Sequence, residues 1–288
     1  MLESKKVVQD AFKTFKRKII EIDYLQGIVK DTHLKSLKEL EQRTKNEETL
    51  PYKSSCTTSF WIRDIVQGRL EHCESNDFNT QETFDLVAEL FNRQYQILLV
   101  DAYEAFEKYV TISHLELSKI DTQFTIKKNF DVINFLKKLH KSTPQIDYII
   151  NLRNEQDFRY PDKNRTLFLI ALIAQLRNHI VHSHGFVIDK KELIDKLMQK
   201  IGLFNCGNYS QDYTNEFNYY FGINLHLNRI CLLEVYDSEA PQIFNTYHDR
   251  LGILTNQLIS YAKFINGYIL VHISTISNEP QPLAAPEA

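Results

Sequence analysis

One short run holds side chains that could do chemistry together: Arg177-Asn178-His179-Ile180-Val181-His182, followed by Ser183, His184 and Gly185. Arginine keeps a permanent charge on a planar fork that fits phosphate. Histidine titrates near neutral pH and can take or give a proton there. An Arg beside a His is therefore a minimal kit for breaking a phosphodiester without a metal ion. On a helix, Asn178 and His182 share a face, as do Arg177 and His184, and His179 neighbours His182. Arg177 and His182 stand about 140° apart at roughly 100° per residue. A long Arg side chain can reach round near a helix end.

The element that must carry these residues is a helix beginning near Asp162 to Asn164 and stopping at Gly185, a left-handed stop signal. From Leu167 to Ala174 it is apolar all round, which marks a helix buried in the centre of a bundle. Its last turns become abruptly polar. A second long helix is predicted upstream. Asn79 followed by Glu82 resembles a capping box, and an uninterrupted apolar and aromatic pattern then runs to about His114. On it, Asp101 and Glu104 are neighbours three residues apart, as are Glu104 and Glu107. One of these acids is placed to pair with Arg177 or to orient His182. The competing reading is a solvated helix face, favoured for Glu107.

Arg177 to His182 fits the R-x4-H signature of HEPN domains, with a polar residue after the Arg. The segment Gln94-Tyr-Gln-Ile-Leu-Leu-Val-Asp-Ala-Tyr-Glu-Ala-Phe-Glu107 resembles the first helix of many such proteins. The resemblance covers about residues 80 to 275. It implies an all-α bundle that dimerises so that two motifs face each other across a composite active site. It also implies a metal-independent endoribonuclease, a hydrolase-like toxin or antiviral defence effector, with RNA as substrate and a protein partner or antitoxin as a possible regulator. On that resemblance His182 is the general acid or base, Arg177 stabilises phosphate charge and Asn178 orients the His or the phosphate. His179, His184, Asp101 and Glu104 are supporting candidates. The resemblance also admits a catalytically silent module that binds RNA or a partner. No cofactor is expected.

Other readings of the motif stay open. His179, His182 and His184 form H-x2-H-x-H, but no Cys or carboxylate nearby in sequence supplies a fourth zinc ligand, so no metal is assigned. Arg and His also favour helix C-termini through the macrodipole. Basic residues that could hold RNA are Lys127, Lys128, Lys137, Lys138, Lys141, Arg153, Arg159, Lys163 and Arg165, with Tyr148 and Tyr160 interleaved; a solvated surface is the simpler account for most.

Net charge is -3, so no global basic field draws in a polyanion, and any RNA binding must come from a local patch. Only 8 Gly and 7 Pro occur, which leaves long windows for helices and argues against a sandwich or barrel. The four cysteines are scattered and read as thiols of a cytoplasmic protein. No window of about 18 uncharged apolar residues suggests a membrane span. No Gly-rich phosphate loop is present.

The remaining elements follow from patterning. Residues 1–75 are expected to form a helical extension, residues 80–275 the HEPN-like bundle, and residues 278–288 a disordered tail. In the extension, Val8, Phe12, Phe15, Ile19 and Ile22 are spaced like the seam of a hairpin or coiled coil. That seam suits either a packing helix, a dimerisation arm or a structural adaptor. A short helix is expected around Phe60 to Leu70, and Cys73 to Asn79 reads as a linker. Further helices are expected at Asn129 to Lys141, from Pro144, after Ile188, and from Ser238 to about His272. At most a minor β element is expected, around Ile223 to Leu227.

Overall fold

The computed structural model describes residues 2–47, 56–63, 70–78, 80–124, 130–142, 165–204, 211–222, 227–236 and 247–278. The first helix, α1 (Leu2–Glu47), runs 46 residues, roughly 70 Å at about 1.5 Å per residue. The heptad seam read from the sequence is what it buries. Val8, Phe15 and Ile22 are fully enclosed, and Phe12 and Ile19 pack beside them. They lie on α2 (Thr80–Ile120), the second long helix. Phe15 meets Phe106 and Tyr109 at ring centroids of 5.9 Å, and His33 stacks on Phe91 at 4.5 Å. Early α1 residues thus meet late α2 residues, so the two helices are antiparallel. The seam is used inside one chain, and α1 shares one core with the rest of the bundle. It packs as a helix of the bundle.

Between α1 and α2 the structure departs from expectation. The short helix expected around Phe60 to Leu70 is replaced by an antiparallel ribbon of β1 (Cys56–Arg63) and β2 (Leu70–Phe78). The expected linker is most of β2. A run of Thr, Phe, Trp and Ile favours extended backbone in β1. The polar β2 carries no period-2 apolar signal, because a two-stranded ribbon can satisfy its backbone by pairing alone. The register shifts between Phe60 and Trp61, as at a bulge.

After α2, a 3-10 turn (Thr122–Phe124) leads to α3 (Val132–Ser142), whose first turn is capped by Asp131 Oδ1 accepting from Asn134 N at 2.9 Å. The helix expected from Pro144 lies outside the described residues. Then comes α4 (Arg165–Ser183), the motif helix. Its residues Leu167 to Ala174, Leu176 and Ile180 are all buried, as the all-round apolar run requires. Each such Leu or Ile contributes about 2 kcal/mol. Asp189 caps α5 (Lys190–Ile201), and Gly202, at φ 83°, closes it. A polar helix with no clear sequence signal, α6 (Gln211–Tyr219), follows. The pair β3 (Val235–Tyr236) and β4 (Tyr247–His248) precedes α7 (Arg250–Asn278), which begins later than the expected Ser238. Ser238, Pro241, the stretch around Ile223 and the tail beyond 278 lie outside the described residues.

The class is all-α: seven α-helices among the described residues, with two small ribbons. The irregular segment 228–232 runs through the interior and needs partners for its backbone. They come from three sides. Ile230 N donates to Gly185 O at 2.8 Å, Cys231 N to Tyr220 O at 2.9 Å, and Leu232 N to Asn92 Oδ1 at 2.8 Å. The Ile230 carbonyl accepts from Asn92 Nδ2 and Gln96 Nε2, both at 2.8 Å. Fully buried Arg250 donates to Cys231 O at 3.2 Å and covers the Tyr219 ring. This clamp fixes the chain that leaves the motif helix.

Candidate functional site

The motif occupies the last turns of α4, where burial gives way to exposure within four residues. Ala174 and Leu176 are buried, Arg177 is partly covered, and Asn178, Val181, His182, Ser183 and His184 are exposed. The helix then reverses through two left-handed residues, His184 at φ 50° and Gly185 at φ 78°. Gly185 N donates back to His179 O at 2.9 Å, and Phe186 N to Ser183 O at 2.9 Å. A Cβ on Gly185 would stand 2.5 Å from Gln96 Nε2, so this position requires glycine for conformation and for room.

Arg177 turns toward α2. Its Nη2 meets Glu104 Oε1 at 2.7 Å, and its Nη1 donates to Asn178 Oδ1 at 3.3 Å. Its Nε is buried with no acceptor. The guanidinium therefore presents only its outer Nη edge, and Glu104 and Asn178 hold that edge. Beneath it, burial pushes the Tyr103 phenol well above its ordinary range, with the Arg177 charge opposing.

The structure thus brings Arg177, Asn178 and Glu104 together and leaves His182 on the exposed face one turn on from Asn178. Asp101 is not part of this cluster; its carboxylate pairs with Lys18 of α1 at 2.9 Å. Although Asp101 and Glu104 are neighbours on α2, they turn toward different helices. His179 is half-buried, and its pKa is lowered by burial, with the Phe186 backbone opposing and the Lys196 and His182 charges adding to the shift. His179 accordingly favours the neutral form, while His182 and His184 stand in solvent. Among the described residues no three metal-ligating side chains converge.

Sequence reasoning missed the residues on α2 that hold the motif. Arg93 Nη1 donates to the Ile180 carbonyl at 3.3 Å and to Gln96 Oε1 at 3.0 Å. It satisfies one of the open carbonyls at the helix end and suits its negative pole. Gln96 and Asn92 are each 1% exposed, and they anchor segment 230–232 beside it. The available signal was polar residues four apart, Asn92 and Gln96, on a helix face otherwise apolar. The candidate RNA-holding cations within the described residues are engaged elsewhere. Lys137 donates to Lys200 O at 2.7 Å, Lys138 to the Gln123 carbonyl, and Arg165 pairs with Glu216 at 3.3 Å. Lys127, Lys128, Arg153, Arg159, Lys163, Tyr148 and Tyr160 lie outside the described residues, as does the Lys141 side chain.

A groove of about 660 Å³ opens between α1 and α2, lined by residues such as Val7, Ala11, Thr14, Lys108 and Ile112. It contains no motif residue. The motif is an open surface site at a helix end. Among the described residues no helix is long and apolar enough to cross a membrane. Comparison with family models, with curated proteins and with solved structures found no match to this chain.

Proposed function

We propose that this protein is a cytoplasmic, metal-independent endoribonuclease of HEPN type, acting as a homodimer. The observation that carries this reading is the joint placement of a partly exposed Arg177 and an exposed His182 on the last turns of a buried helix. A guanidinium there can hold a phosphate, and an imidazole beside it can serve as a general acid or base.

The reaction is internal transesterification. A base removes the proton of the ribose 2′-OH, whose oxygen attacks the adjacent phosphorus. An acid protonates the departing 5′-oxygen. The products are a 2′,3′-cyclic phosphate and a free 5′-OH, and Arg177 offsets charge on the phosphorane. One chain offers a single His182, whereas the reaction needs both a base and an acid. Two motifs facing each other across a two-fold axis supply both roles. An exposed apolar stripe supports such a pairing. Leu86, Leu90 and Ile97 recur at helical spacing on the outward face of α2, and Arg93 and Glu104 on that same face touch the motif helix.

The second reading is a silent module that binds RNA or a protein partner, such as an antitoxin. The Glu104 pairing favours it, because a carboxylate already neutralises Arg177. The test is incubation of wild type and His182→Ala with mixed RNA in EDTA. The expected outcome is cyclic-phosphate ends with wild type and at least a hundredfold loss in the variant, in line with the usual worth of a general acid or base. Equal product from both proteins sinks the nuclease reading, and so does product from neither. RNA binding that survives in the variant without cleavage by wild type favours the silent module.

A further inference from the structure

We propose that Glu104 is a built-in competitor for RNA: its carboxylate occupies the phosphate seat of Arg177 and must be displaced before a backbone phosphate can bind. The inference rests on the reading of Arg177 as the phosphate-holding residue. Three observations lead to it. The Nε of Arg177 is buried, so an incoming anion can approach only at the Nη edge. On that edge one N–H of Nη2 is taken by Glu104 Oε1 at 2.7 Å and one of Nη1 by Asn178 Oδ1 at 3.3 Å, so an anion that arrives there stands beside the Glu104 carboxylate. And Glu104 remains 51% exposed while Arg177 is 24% exposed.

A carboxylate oxygen and a phosphate oxygen make the same kind of charge-assisted bond to a guanidinium, at the same distance. Two anions cannot share one Nη2 position without strong repulsion. Glu104 therefore mimics the ligand and repels it. An exposed ion pair of this type adds little to stability, so holding the fold together is not its main effect. The carboxylate also has another place to go. Lys108 lies one turn further along α2, at the spacing and in the order that suit a Glu-to-Lys pair. Swinging from Arg177 to Lys108 would open the seat without moving any backbone. RNA with several phosphates aligned along the helix end can drive that exchange, whereas an isolated anion competes poorly.

Glu104→Gln separates the charge from the geometry. It keeps an acceptor for Arg177 Nη2 and removes the negative charge. The probe is a 2′-O-methyl oligonucleotide of mixed sequence, which cannot undergo the cleavage, titrated into full-length protein over a range of salt. The expected result for Glu104→Gln is about tenfold tighter binding, as a like charge beside the ligand is lost. This tightening should not appear when Arg177→Gln is also present, because the seat itself is then gone. Unchanged or weaker binding by Glu104→Gln overturns the proposal. So does tightening that persists without Arg177, which would report only a general change in surface charge. Cleavage of the matching unmodified RNA is scored separately. Tighter binding without any cyclic-phosphate product sinks the nuclease reading and leaves the competitor role standing. Cleavage with an unaltered KM in Glu104→Gln does the reverse.

Discussion

Gly185 shows how narrowly the motif is held at the level of single residues. It sits at φ 78°, where a Cβ costs roughly 1–2 kcal/mol. That Cβ would also press on Gln96, whose amide is tied to Ile230 O and to Arg93. Pushing Gln96 aside breaks buried hydrogen bonds worth about 1 kcal/mol each. Gly185→Ala is therefore expected to cost about 2–4 kcal/mol in urea unfolding, the sum of these effects. RNA cleavage should fall as the helix end shifts. A loss under 1 kcal/mol would mean that Gln96 relaxes freely and does not fix the motif. His184, left-handed without being glycine, adds strain at the same corner. In the sequence, Gly185 was legible as a stop signal. Its contact with Gln96, 89 residues earlier, was not.

At the scale of elements, the antiparallel pair of α1 and α2 carries a pH dependence. His33 of α1 stacks on Phe91 of α2, and its Nε2 is buried with no hydrogen-bond partner. Burial lowers its pKa below the ordinary value of 6.5. Burial is also the main cause that lowers those of His114 and His179. In the unfolded chain these histidines take up protons as pH falls through about 6.5, while the folded chain resists. Protons then favour unfolding, so this contribution is present above that pH and is lost below it. Thermal melts should hold steady from about pH 8 to 7 and decline below about 6.5. His33→Phe keeps a ring on Phe91 and removes one titrating group. Its Tm should decline less steeply between about pH 6.5 and 5, since two of the three histidines remain. Identical slopes in both proteins would remove His33 from the account. The α1 seam was legible because a seven-residue repeat demands a partner helix. Which helix it meets depends on where the chain turns back, and no residue in α1 encodes that.

The whole molecule leaves exposed apolar rows at helical spacing on two helices: Ile20, Tyr24 and Ile28 on α1, and a second row on α2. Leu86, Leu90 and Ile97 are 46%, 58% and 51% exposed along the outward face of α2, with Val181 of the motif helix 41% exposed beside the site. Scattered apolar residues are ordinary on a surface, but a row at helical spacing next to a reactive cluster fits an interface. Leu90→Glu with Ile97→Glu should leave helical content unchanged. On the proposed homodimeric nuclease reading, the same pair should convert a dimer to a monomer in light scattering and abolish RNA cleavage, because a lone chain lacks the second His182. Cleavage by a demonstrated monomer would refute the composite site. The all-α class itself was readable from the scarcity of Gly and Pro and from the long periodic segments. The β1–β2 ribbon was not, since a polar strand in a two-stranded ribbon has no apolar face to announce it.

A helix apolar on every side has to be buried, and the polar turn at its end, Arg177 to His184, has to emerge at the surface. Helical periodicity and hydrophobic burial are local properties, and they suffice for that much. Which acid meets Arg177 depends instead on how the helices pack. Asp101 and Glu104 are equally plausible on a helical wheel, yet one turns to Lys18 and the other to Arg177. About 60° of helix face separates them, at roughly 100° per residue over three residues. That angle matters only once α1 and α4 have taken their places on either side of α2. Packing, a long-range property, sets those places.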